Sequence, residues 1–237
     1  MSTKNFYKNL YAEKKKVDYW HTYESNRRDF LHKYLLFWLN PYKNNRHAIV
    51  AKILPKGERV LDVGCWDGEG TLKYGMQEKF KEVYGVDITP EAVEQAQKKG
   101  IKAQIVDLNI EKLPFRASFF DVVTLIAVLE HLFDPYTVLA EVKRVLKDKG
   151  TFIICVPNVA SLSNRLRIMV GRRPRTSYDC GWDGGHLLYF TPRDLTHLLK
   201  EFGFFVVEKH PTGNLYWLRK ALFSLTGEII FKCQLKK

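Results

Sequence analysis

The sequence predicts an α/β fold, a mostly parallel sheet with helices on both faces. Three observations carry that reading. Short apolar runs alternate with helical stretches, the βαβ rhythm of a sheet joined by right-handed crossovers. Three successive runs end in an aspartate, at Asp62, Asp87 and Asp107, as they would if one crevice lay along the carboxyl ends of neighbouring strands. The 237 residues are 46% hydrophobic, enough for one substantial core.

Taken in order, residues 1–55 read as an N-terminal helical cap, in which Phe30, Tyr34, Phe37 and Trp38 recur at helical spacing. Tyr19, Trp20 and Tyr23 are candidates to line a lid there. Residues 56–237 form the main domain. Its strands are expected at 59–64, 82–87, 101–106, 119–126, 150–156 and 204–209, with Glu228 to Leu235 as the last. Helices are expected at 69–80, 90–99, 135–147 and from Pro192 to Phe202. Thr89-Pro90 and Asp134-Pro135 mark two helix starts, because proline suits the first helical turn, where its missing N–H costs nothing. No apolar run approaches the roughly 18 to 20 residues that span a bilayer, and the first residues lead into a polar, charged stretch, so a cytoplasmic protein is expected. Cys65, Cys155, Cys180 and Cys233 show no C-x-x-C pairing, which argues against a zinc site and a disulfide framework. Cys65 and Cys155 read as small core residues.

The stretch from Val60 to Gly68 reads as a strand delivering a ligand-binding turn. Gly64 and Gly68 allow the backbone to turn tightly and approach a ligand, and the following helix offers unpaired N–H groups to an anion such as a carboxylate. A dinucleotide fingerprint needs a second glycine so that a pyrophosphate can approach, but Trp66 stands there. An amino-acid end of a ligand asks for less: a few amides, and an acid such as Asp62 to receive its ammonium. Asp87 follows the glycine turn by about 20 residues, where an acid on the second strand meets the two hydroxyls of a ribose. Asp107 then falls beside an adenine ring, with Ile88 and Leu108 as apolar faces for the base. Any one of these acids alone reads better as a helix cap or turn residue; three in register do not.

These motifs, with Phe119 to Leu132 as the fourth-strand motif, resemble the class I S-adenosylmethionine-dependent methyltransferases over roughly residues 55 to 160. Leu129-Glu-His131, Asp134-Pro135 and Gly150 to Asn158 look like the branch that holds ubiquinone-biosynthesis, MetW-like and glycan-pathway enzymes. The resemblance implies a Rossmann-like, seven-stranded, mostly parallel sheet with the last strand antiparallel and a helical cap closing over the cofactor. It implies S-adenosylmethionine as cofactor and S-adenosylhomocysteine as product, bound by Asp62, Gly64, Cys65, Gly68, Asp87, Ile88, Asp107, Leu108 and Ala127. Some relatives are expected to carry a further glutamate three residues before the Glu-His pair, completing a metal cluster. Ala127 stands at that position, so no metal is expected.

The acceptor side rests on less. Residues 159–190 fit no core element and fall over the carboxyl edge, where an acceptor must enter. Arg165, Arg167, Arg172, Arg173 and Arg175 precede Tyr178, Asp179, Trp182, Asp183 and His186 there, a set suited to an anionic or saccharide acceptor or to a solvated basic helix. His131, just past the fourth strand, is the leading candidate base for an oxygen acceptor, and His186 the second. The expected reaction is O-methylation of a small-molecule, saccharide or lipid-linked acceptor. A net charge of +12 and a pI near 9.4 keep an RNA methyltransferase as the alternative. Against it, the fourth strand ends in Ala127-Val-Leu-Glu-His131, unlike the motifs of base methylation. Leu215 to Leu225 reads as an apolar helix with a basic turn, compatible with a weak peripheral membrane contact, core packing or a homodimer face. A catalytically silent binding or regulatory protein on the same fold is the other class.

Overall fold

The computed structural model describes residues 46–177, 183–213 and 215–235. The aromatic stripe and lid residues of the expected cap lie outside them, as do Tyr178, Asp179, Cys180 and Trp182. What is described of residues 1–55 is α1 (Arg46–Ile53), which buries Val50 and Ile53.

The seven strands are β1 (Gly57–Val63), β2 (Phe80–Asp87), β3 (Lys102–Ile105), β4 (Phe120–Ile126), β5 (Leu146–Pro157), β6 (Phe204–Pro211) and β7 (Glu228–Leu235). They form one sheet in the order β3-β2-β1-β4-β5-β7-β6, parallel from β3 to β5, with β7 antiparallel to both β5 and β6. The strand order reverses between β1 and β4. Their carboxyl ends therefore diverge and leave a crevice, the usual ligand position in such sheets.

Strand periodicity sorts the core into two layers. Leu61 and Val63, with Val123, Leu125, Phe152 and Ile154, face one side and pack under α5 (Pro135–Val145) and α7 (Pro192–Glu201). Val60, Val122, Ile126, Ile153 and Cys155 face the other, beneath α1 and α4 (Pro90–Lys98). The buried Cys65, Cys155 and Cys233 are free thiols.

Several boundaries differ from the sequence reading. The single helix expected over 69–80 is two, α2 (Glu69–Lys73) and α3 (Met76–Lys79), because Gly75 between them adopts a left-handed φ of 68°. Helix α5 stops at Val145, and β5 begins at once with an extended Leu146, four residues earlier than expected; a register shift between Phe120 and Val122 absorbs the extra chain. The acceptor-side segment contains α6 (Leu162–Met169), capped by the Ser161 side chain, where no core element was expected. The expected apolar helix with a basic turn shortens to α8 (Tyr216–Ala221) followed by a single turn. Its Arg219 is fully buried and donates to the Leu225 carbonyl at 2.6 Å, while Trp217 is 72% exposed. No helix among the described residues is long and apolar enough to cross a membrane.

Candidate active site

The turn after β1 is shaped by packing as much as by any ligand. Gly64 has φ 77°, and a Cβ there would lie 2.2 Å from Val128 Cγ2, beyond the end of β4. Gly68 has φ 78°, and its Cβ would meet Ile101 Cδ1 at 2.5 Å and the Ala96 backbone at 3.2 Å. The Cβ direction of Gly68 thus points to α4 and to Ile101 just before β3, and Gly68 is not among the residues lining the cavity in the crevice. The crevice holds a cavity of about 300 Å³, lined from this turn by Gly64, Cys65, Trp66, Asp67 and Gly70. Trp66 adopts φ 50°, the left-handed region a glycine would enter freely, and its N–H donates to Asp87 Oδ2 at 3.0 Å. An indole at this position therefore costs about 1 kcal/mol of backbone strain and forms part of the cavity wall.

All three carboxyl-edge acids line the cavity, and each is held by protein donors. Asp62 accepts from Thr71 Oγ1 at 2.5 Å and Thr124 Oγ1 at 2.6 Å, tying α2 and β4 to β1. Burial pushes its pKa up to about 6, outweighing those two bonds. Asp87 accepts from the Thr89 and Trp66 amides, one per oxygen, and burial raises its pKa as well. A carboxylate oxygen has two lone pairs, so each oxygen of Asp87 keeps one for a ligand hydroxyl. Asp107 Oδ1 closes a turn on the backbone and side-chain nitrogens of Asn109, at 3.0 and 3.2 Å. Ile88 and Leu108 line the same cavity, as expected of faces for a planar ring.

Ala127 stands at the end of β4 with φ 57°, its N–H donating to the Cys155 carbonyl, and it lines the cavity with Val128, His131, Leu132 and Gly184. His131 Nδ1 lies 3.3 Å from the Gly185 carbonyl, which can only accept, so Nδ1 carries the proton. His186 stacks edge-on against His131, with ring centroids 4.7 Å apart, but does not itself line the cavity. Its Nδ1 lies 2.7 Å from Thr176 Oγ1, which donates to Asp183 Oδ2 at 2.5 Å. Burial disfavours the Asp183 charge, yet the Thr176 and Ser177 donors outweigh it and lower its pKa. Glu130 Oε1 lies 3.9 Å from His186 Nε2, and burial pushes the Glu130 pKa up to about 8. The expectation of no metal rested on Ala127; the fold gathers Glu130, His131 and His186 into a cluster that sequence spacing alone does not connect.

Sequence reasoning did not single out Arg46, His47, Tyr74, Asn109, Val128 or Gly184. Arg46 reaches the cavity from α1 while donating to Glu228 Oε1 at 2.8 Å, a contact across 182 positions that no local pattern announces. His47 stacks on Tyr74 at 5.3 Å, and burial together with the Arg46 charge lowers its pKa to about 4. None of the acceptor-side arginines lines the cavity; among the described residues of 159–190, Gly184 does.

Comparison with known proteins finds similarity over part of the chain. Residues 61–154 match the family described as a methyltransferase domain. Over 142 residues the chain is 32% identical to the ubiquinone biosynthesis O-methyltransferase of Haemophilus ducreyi, covering 56% of this chain and 58% of that protein. Over 129 residues it is 34% identical to an uncharacterized methyltransferase of Schizosaccharomyces pombe, covering 50% of this chain and 45% of the other. The chain thus spans about half the length of these curated relatives. Among solved structures, a SAM-dependent methyltransferase from Aquifex aeolicus superimposes with a TM-score of 0.55 at 19% identity, covering 90% of this chain and 96% of that one. The [4+2]-cyclase SpnF does so at 0.60 and 16% identity, covering 80% and 79%. At such identities the likeness establishes the fold alone, and SpnF illustrates that this fold serves more than one activity.

Proposed function

We propose that this chain, whose residues 61–154 match a methyltransferase domain, is a class I S-adenosylmethionine-dependent methyltransferase that methylates an oxygen of a small-molecule, saccharide or lipid-linked acceptor in the cytoplasm. One observation carries the cofactor half of the proposal. Asp62, Asp87 and Asp107 converge on a single cavity with Arg46, a donor set matching an ammonium, two ribose hydroxyls, an adenine edge and a carboxylate. Asp87 is the ribose acid, its oxygens aimed by the Trp66 and Thr89 amides. Asp62 meets the ammonium, Arg46 the carboxylate, and Ile88 and Leu108 flank the base. When bound, S-adenosylmethionine supplies a sulfonium-activated methyl group.

The protein's part is then to hold an acceptor oxygen about 3 Å from that carbon, in line with the departing sulfur, and to remove a proton. The acceptor O–H bond breaks, an O–CH₃ bond forms, the sulfonium becomes a neutral thioether, and the proton leaves by way of the protein. His131 is the residue for this. It lines the cavity, and the Gly185 carbonyl holds its Nδ1–H, leaving the Nε2 lone pair to take the proton. His186 braces the His131 ring from outside the cavity. The first name among the relatives, an O-methyltransferase, supports oxygen as the acceptor atom at 32% identity.

The test has two stages. Calorimetric titration with S-adenosylhomocysteine should show micromolar binding, and its absence would overturn the cofactor assignment. Incubation with S-adenosylmethionine and phenolic, saccharide and lipid-linked acceptors should yield many equivalents of S-adenosylhomocysteine. Binding without turnover across that panel would favour the regulatory reading instead.

A further inference from the structure

A second chemical feature beside the cavity is not used by cofactor binding. Glu130 is 1% exposed, and neither of its carboxylate oxygens has a hydrogen-bond partner among the described residues. Leaving a carboxyl group in that state costs about 1 to 3 kcal/mol or more. Structure that persists at such a cost calls for a ligand. One donor atom from each of Glu130, His131 and His186 lies within 4.8 Å of the other two, and the Glu130 Oε1 to His186 Nε2 separation is 3.9 Å. Neighbouring ligands of a tetrahedral cation sit about 3.4 Å apart, so small side-chain rotations close the set.

The two imidazoles are held in the tautomer that a metal requires. The Gly185 carbonyl fixes the proton of His131 on Nδ1. Thr176 has a single hydroxyl proton, and the Asp183 carboxylate takes it at 2.5 Å; the same hydroxyl can then only accept from His186, placing that proton on Nδ1 too. Both rings therefore present Nε2 as the basic nitrogen, and each is oriented from behind by an acceptor, the usual outer-shell support of a metal-binding histidine. The Asp183, Thr176 and His186 chain makes such a support two residues long. We propose that Glu130, His131 and His186 form a binding site for a divalent transition-metal cation, with zinc(II) the best match to two imidazoles and one carboxylate. Magnesium and calcium prefer all-oxygen sets and should not compete.

The site stands on this geometry alone; its use in catalysis rests on the O-methyltransferase reading above. Without a cation, His131 Nε2 is the base described above; with one bound, that lone pair would be occupied, and the cation would instead acidify an acceptor hydroxyl by coordination, the proton passing to water.

Zinc titration of chelator-stripped protein tests the site. We expect one zinc ion per chain, displaced by cobalt(II) with visible absorption bands and not displaced by magnesium. Glu130→Gln and His186→Gln should each weaken zinc binding by about tenfold or more, while His197→Gln, at an exposed histidine paired with Glu201, should leave it unchanged. S-adenosylhomocysteine titration of the same variants separates loss of the site from loss of the fold and from failure of the cofactor assignment. Zinc stoichiometry and affinity unchanged in both cluster variants, or no stoichiometric zinc in the unaltered protein, would overturn the proposal.

Discussion

The two sides of the crevice are built by different rules. On the cofactor side, every acid is already gripped by the protein: Asp62 by two threonines, Asp87 by two amides and Asp107 by Asn109. On the acceptor side, Glu130 has no such grip, and the end of α6 and its C-cap leave Ile168, Met169 and Val170 in solvent among arginines. Preorganisation costs nothing extra for a ligand that never changes, because rigid donors lose no entropy on binding it. A wall that must fit a particular acceptor is assembled from loops, where residues can change without disturbing the sheet.

The sharpest way to break this contrast is Asp87→Ala. It removes the acid proposed to hold the ribose and strands the Trp66 and Thr89 amides, so S-adenosylhomocysteine affinity should fall by at least about a hundredfold, some 2.7 kcal/mol. Calorimetry showing near-normal affinity would sink the assignment. Gly64→Ala comes next. It drives a methyl group to 2.2 Å from Val128 at a positive φ, and should cost about 2 to 4 kcal/mol in thermal unfolding. Adding Val128→Ala should recover the steric part and leave the backbone part, so no recovery at all would show that the clash is not the cause.

Asp62 sharpens the comparison through pH. Its folded pKa of about 6 lies above the ordinary value of 3.8, so folding favours the protonated form. The stability it contributes is fully present below about pH 4 and is lost as pH rises through 6, about 3 kcal/mol in all. The drop in melting temperature of the ligand-free protein between pH 4.5 and 7 should therefore be smaller in Asp62→Asn than in the unaltered chain. An ammonium favours the ionised form, so S-adenosylhomocysteine should bind more tightly at pH 7 than at pH 5. Last and smallest, Met169→Ser and Val170→Ser, at exposed positions where α6 ends, should change stability by no more than about 0.5 kcal/mol and leave cofactor affinity alone. A large effect there would erase the distinction between the two sides.

The same division governs what could be read in advance. The strands were legible because a buried parallel sheet writes itself as apolar runs, and β7 was found to the residue. Asp87 and Asp107 were legible because each ends such a run. The packing that excludes a side chain at Gly68 was not legible, since its neighbours Ile101 and Ala96 come from other parts of the chain. The break at Gly75 and the early start of β5 were hidden because both depend on where one short element hands over to the next. Arg46 and the cluster of Glu130 with His186 were hidden for a stronger reason: their partners lie far along the chain, and only the closed fold brings them together.

The strand order also sets a timetable for synthesis. Strand β7 is made after both β5 and β6, yet it lies between them and supplies the ladder of both. As the chain emerges from a ribosome, β5 can pair with β4 but must wait with its other edge bare, and β6 has no neighbour at all. Glu228, the first residue of β7, also holds Arg46 at the cavity. Arg46 thus gains its partner at the cavity only once β7 has been translated, and a nascent chain that has not yet reached β7 would leave the free edge of β5 open to its surroundings.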